Sequence, residues 1–224
     1  MQPNKTKAVV LRRTNFGEAD RVVQFLLSDG HKISAMARGV RREKSKLAGS
    51  VELLCISDVT FAKGRGDLHT LTSARLVTFY DKILQDYDRL QFAYDGLKKI
   101  SRLSEHIVEP LLFDTAIVLL ESLNNPQVDL RIVKSWFFLR VADISGHGLN
   151  LSRDSSNQPL SVEQHYEFDT NEMSFVITPK GKFSAQHLKL FKLLKLKPPY
   201  KVAQVSGVDE YLDDITELSY HLAQ

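Results

Sequence analysis

The residues with the clearest chemical potential are cations. Arg38, Arg41, Arg42, Lys44 and Lys46 place five positive charges within nine residues, against one acid, Glu43. Such spacing suits a polyanion, because each phosphate neutralised by Lys or Arg releases condensed counterions, worth roughly 0.7 to 0.9 in the log-log salt dependence of binding. Catalytic chemistry finds much less support. Gly-x-x-x-x-Gly-Lys-Ser/Thr and Gly-x-Ser-x-Gly are both missing, and Pro179-Lys180-Gly181-Lys182 lacks the spacing for a phosphate cradle. The single cysteine, Cys55, lies in an apolar run with no histidine near it in sequence and reads as a buried, inert thiol. Seven histidines are scattered with no His-x-x-x-His pair, so no metal site is expected. Asp209, Glu210, Asp213 and Asp214 read as acids that favour the positive end of a helix dipole. No catalytic residue, cofactor or metal is therefore expected.

The charge is unevenly distributed. Residues 1–80 hold 14 Lys and Arg against 7 Asp and Glu, a net of +7, whereas residues 81–224 hold 16 against 20, a net of −4. A basic segment joined to an acidic remainder fits nucleic-acid contact better than general solubility does. The chain has no apolar run long enough to span a bilayer, and its polar start, Met1 to Lys7, lacks a secretory h-region. A cytoplasmic protein is expected, with no membrane partner.

The elements that must position these cations change character near Tyr80. Before it come five strand-like runs: Lys7 to Arg13, Arg21 to Leu27, Lys32 to Val40, Leu53 to Ala62 and Leu68 to Phe79. Asp29-Gly30 signals a tight type I′ hairpin, and Lys63-Gly64-Arg65-Gly66-Asp67 a second turn. Five short strands in about 75 residues match an OB-type barrel. After Tyr80 the apolar period becomes helical. Helices are expected over Asp88 to Val108, Leu111 to Leu123 with Pro110 at its start, Val128 to Ile144, Ala185 to Lys195 and Val208 to Leu222. Between them, residues 146–184 read as irregular apart from one strand-like run, Met173 to Thr178. The expected class is α+β and multidomain. The domains would be an OB domain (1–80), a helical domain (81–147), an irregular insertion (148–184) and returning C-terminal helices (185–224).

An OB barrel holds single strands by a basic groove plus aromatic rings on which bases stack. Phe16, between the first two strands, is the best stacking candidate, although a core role for it stays open. Phe25, Phe61 and Phe79 sit in apolar runs and read as core.

Asn15-Phe16-Gly17-Glu18-Ala19-Asp20-Arg21, then His31 through Arg41, then Lys44-Ser45-Lys46-Leu47-Ala48-Gly49 resemble three successive signatures of the bacterial RecO recombination mediators. Lys63-Gly64-Arg65-Gly66, followed by a Leu- and Thr-rich strand, is also similar. The resemblance is close over residues 7–80 and looser beyond. It implies an OB fold, a helical domain and no catalytic turnover. It further implies binding of single- and double-stranded DNA, annealing of complementary strands, and cooperation with RecR and single-strand-binding protein in loading RecA. By motif, Arg38, Arg41, Lys44 and Lys46 would face DNA; Arg42, Arg21 and Lys32 are added by charge, and Lys63 and Arg65, in the second turn, are further DNA-binding candidates. Many members carry a four-cysteine zinc finger where this chain has none, so its insertion must be held otherwise. Lys189, Lys192, Lys195 and Lys197 could serve a partner's acidic tail, or simply form a solvated helix face. An OB-fold RNA-binding or scaffold protein is the alternative reading, and a nuclease the weakest.

Overall fold

In the computed structural model, which describes residues 5–64 and 66–224, the β-forming first third closes on itself. Its strands are β1 (Lys5–Phe16), β2 (Asp20–Leu27), β3 (Lys32–Ala37), β4 (Cys55–Ala62) and β5 (Leu68–Phe79). They form a closed barrel in the order β1-β2-β3-β5-β4, with β4 pairing back onto β1; β3 and β5 run parallel and every other pair antiparallel. This is the OB arrangement. Alternation sends Ala8, Val10, Val23, Phe25, Ala35, Ala37, Val59 and Leu71 inward, where the three alanines leave room for Phe25. The next residues along each strand point out. Val9 and Leu26 pair on the outer face and are nevertheless fully buried, because two helices, α1 (Tyr87–Leu103) and α2 (Pro110–Leu123), pack there.

Two expectations about this region change. The Asp29-Gly30 hairpin forms, but only Gly30 has positive φ, at 89°. The Gly30 amide donates to Leu27 O at 2.9 Å and the Leu27 amide to His31 O at 2.9 Å. These bonds define a three-residue loop with a left-handed glycine, whereas a type I′ turn needs two left-handed residues. Glycine is doubly required here, since a Cβ at Gly30 would come within 2.4 Å of the Glu109 backbone at the start of α2. Phe79, expected in the core, is 40% exposed at the end of β5, while Phe25 is fully buried and meets Phe61 edge-on at 5.4 Å.

The contacts divide the chain into two compact units, Met1–Asn124 and Asn125–Gln224. The division lies after Asn124 and not at the end of the barrel, because α1 and α2 cover β1 and β2. Pro110 takes the first position of α2, where its missing N–H costs no hydrogen bond. The second unit contains α3 (Leu130–Ile144), β6 (Tyr166–Asp169), β7 (Ser174–Ile177), α4 (Ala185–Leu196), a single turn α5 (Pro199–Val202) and α6 (Leu212–Leu222). Arg131, at the start of α3, bridges Asp129, Asp209 and Asp213 at 2.8 to 3.2 Å, so part of the C-terminal acidic group serves this guanidinium. No helix among the described residues is long and apolar enough to cross a membrane.

The cysteine-free stretch is better ordered than its composition suggests. β6 and β7 form a hairpin, of which only the second strand was visible as a run. Phe175 lies at the centre of an aromatic cluster, with Phe168 at 5.2 Å, Phe183 at 5.6 Å, Tyr166 at 6.0 Å and Phe191 of α4 at 6.4 Å. Tyr166 and Phe175 are fully buried. These rings tie the insertion to α4.

Two substitutions test these roles by thermal unfolding. Gly30→Ala should lower stability by about 2 kcal/mol, from left-handed strain and displacement of Glu109. Phe175→Ala should cost about 3 to 5 kcal/mol through loss of the aromatic centre, with a chelator making no difference to either protein.

Candidate nucleic-acid interface

The cationic run forms the loop between β3 and β4. Five like charges in one loop repel, so the loop needs anchors that leave the charges outside. Val40, 2% exposed and within the run, and the partly buried Leu47, just after it, pack into the barrel core. The main chain adds further ties to the turn between β1 and β2. Gly39 N donates to the Asp20 carboxylate at 2.7 Å, and Arg41 N to Ala19 O at 2.9 Å. Arg41 Nη1 also donates to Gly17 O at 3.0 Å. Arg38, Arg41, Arg42, Lys44 and Lys46 are all exposed, and none pairs with a carboxylate among the described residues.

Phe16 ends β1 beside that turn and is 57% exposed, with Gly17 next to it at φ 55°. The loop and the aromatic ring therefore share one end of the barrel. Arg21 lies there too but is engaged: its guanidinium donates to Glu52 Oε1 at 2.8 Å and to Asn15 Oδ1 at 3.2 Å. Arg13 pairs with the other Glu52 oxygen. Partial burial, with Arg13 and Arg41 nearby, holds Arg21 below the usual guanidinium range.

The remaining candidates lie elsewhere. Lys32 begins β3, at the opposite end from Arg38, about 20 Å away along the strand. Its ammonium donates to Ser101 O at 2.9 Å and to Glu105 at 3.0 Å, and its side chain is only 17% exposed, so it clamps α1 to the barrel. Lys63 is exposed on the β4–β5 turn, which leads into Leu68 beside Ser34. Arg65 lies outside the described residues. The charge pattern alone does not reveal Arg13 or the role of Glu52, the acid three residues before β4.

Other reactive groups are structurally committed. Burial pushes the Cys55 thiol up to about 11. Ser184, His187 and Asp214 line up with contacts of 3.0 and 3.3 Å, but Nδ1 of His187 also accepts from the Ser184 amide at 3.1 Å. This is a reciprocal helix cap on α4, which occupies the nitrogen that a catalytic base would need. Burial holds His187 below the usual histidine range. On α4, Lys195 is bound to Asp143 at 2.8 Å, whereas Lys189, Lys192 and Lys197 are exposed; Lys189, Leu190 and Leu193 line a cavity of about 170 Å³.

Comparison with known proteins agrees with this geometry. Residues 1–80 match the family model described as Recombination protein O N terminal. The DNA repair protein RecO of Dehalococcoides mccartyi strain CBDB1 is 30% identical over 179 residues, covering 78% of this chain and 68% of that protein. The DNA repair protein RecO of Acetivibrio thermocellus is 41% identical over 90 residues, covering 40% of this chain and 35% of that protein. The RecO protein of Roseiflexus sp. is 34% identical over 105 residues, or 47% of this chain and 36% of its own length. An OB barrel with a basic loop, a helical remainder and these similarities together place the chain in the RecO family.

Proposed function

We propose that this chain is a recombination mediator in DNA repair that binds single- and double-stranded DNA, anneals complementary strands and helps load RecA. The observation that supports this most directly is the β3–β4 loop, whose five exposed cations stand beside exposed Phe16 at one end of an OB barrel. Annealing asks for no bond to be made or broken. A surface that neutralises phosphates lowers the repulsion between two backbones and leaves base edges free to pair. The protein then works without catalytic turnover, cofactor or resident metal, in the cytoplasm at the nucleoid.

Within this reading Arg38, Arg41, Arg42, Lys44 and Lys46 contact phosphates and Phe16 stacks on a base, with Lys63 and Arg65 as outlying contacts. Arg21 acts indirectly, by fixing the loop end through Glu52. Lys32 holds the barrel against α1. Contacts with RecR and with the acidic tail of single-strand-binding protein fall to the helical part, where Lys189 and Lys192 border apolar α4 residues.

The quadruple variant R38A/R41A/K44A/K46A tests the central claim. It should keep its melting temperature, lose at least about tenfold in single-strand affinity, and show a salt slope shallower by about 3. Annealing should fall in parallel; unchanged binding would overturn the proposal, and a marked preference of the parent protein for matched RNA would favour an RNA-binding role. Phe16→Ala should weaken single-strand binding by about 1 to 3 kcal/mol in a fluorescence titration while duplex affinity changes little, because stacking needs an unpaired base.

A further inference from the structure

A break in strand regularity opens a second basic site on the outer wall of the barrel. Along β1, Val10 pairs with Phe25 and Arg12 with Gln24, so Leu11 is one residue too many for the ladder. Val10, Phe25 and Val23 fill the interior, which makes Gln24, lying between Phe25 and Val23, an outward residue, and Arg12 opposite it outward as well. In an unbroken strand, Arg12 would follow Val10 at a spacing of two and point into the apolar core. The bulge at Leu11 shifts the alternation and re-aims the guanidinium outside.

There it meets α1. Lys98 and Arg102, one helical turn apart, join Arg12, Gln24, Ser101 and Glu105 around a cleft of about 530 Å³. That volume is more than ten times the roughly 30 Å³ share of one liquid water, enough for sugar-phosphate groups and far more than a lone ion needs. Its charge is strongly biased. Glu105 is already taken by Lys32 at 3.0 Å, while Arg12, Lys98 and Arg102 are exposed and make no ion pair among the described residues. Arg12 lies four residues before Phe16, so the cleft and the barrel end that Phe16 shares with the loop are about 14 Å apart along β1. This is the scale of the roughly 12 Å groove between the two backbones of a duplex.

We infer that this cleft holds the sugar-phosphate backbone of a second DNA strand while the β3–β4 loop holds the first. The inference rests on the reading of that loop as a DNA contact. With one strand in each place, two strands are brought to pairing distance by separate sets of cations, and neither set reads sequence.

The variant R12A/K98A/R102A tests it in the full chain, with K98E/R102E, confined to the exposed face of α1, as a second version. The probes are two non-complementary oligothymidylates, one with a donor and one with an acceptor dye, so that energy transfer reports co-occupancy without annealing. Single-strand affinity should stay within about threefold of the parent protein, while co-occupancy and the annealing rate of complementary strands fall about tenfold and the salt slope of second-strand binding drops by about 2. Unchanged co-occupancy and annealing in both variants would overturn the second site and leave the loop reading intact. An equal fall in single-strand binding would also overturn it, by making the cleft part of the first site. Wild-type single-strand binding by R38A/R41A/K44A/K46A would instead remove the reading on which the inference stands.

Discussion

Mutual repulsion among the loop cations is the constraint around which the barrel end is organised. Pairing each cation with a carboxylate would relieve it and would also abolish the positive field. The chain instead fastens the loop through its backbone and its apolar residues: the Asp20 carboxylate takes the Gly39 amide, Ala19 takes the Arg41 amide, and Val40 and Leu47 sink into the core. Charges on long side chains remain in water, where a high dielectric and salt moderate their repulsion. Glu52 at this end engages Arg13 and Arg21 and leaves the loop cations unpaired among the described residues.

The same economy of acids recurs beside α1. Lys32 and Glu105 satisfy each other and join helix to barrel, and Lys32 holds the Glu105 carboxyl below the usual range. Arg75 and Lys5 do likewise for Asp58 across β4 and β5. Carboxylates in the first unit thus tend to fasten elements together. Among the cations left over, five stand on the β3–β4 loop and three, Arg12, Lys98 and Arg102, around the cleft between the barrel wall and α1.

Much of the architecture was legible in the chain itself. Runs rich in β-formers and bounded by turn signals, with period-two alternation in the fifth, locate all five barrel strands to within a few residues, and Pro110 marks the start of α2 because only a first helical turn tolerates it so easily. What was not legible depended on partners far away in sequence. Nothing local to Arg21 or Lys32 signals that they meet Glu52 and Glu105, which lie 31 and 73 residues further on. The turn type at Gly30 is not legible because Asp-Gly suits several turns, and the Glu109 backbone pressed against Gly30, which accounts for the glycine itself, is far away in sequence. Tyr166–Asp169 is four residues long, too short for periodicity, and becomes a strand only through β7 and the ring of Phe175. The bulge at Leu11 left no trace in composition, since an apolar residue between Val10 and Arg12 continues the run without interruption.

Cys55 has a consequence of its own. Its thiol is buried among β4 and the preceding turn, with Sγ near the Glu52 carbonyl at 2.9 Å, and burial raises it to about 11. At neutral pH the thiolate, the form that peroxides attack, is therefore strongly disfavoured. The chain's one sulfhydryl is thereby kept in its protonated, unreactive form.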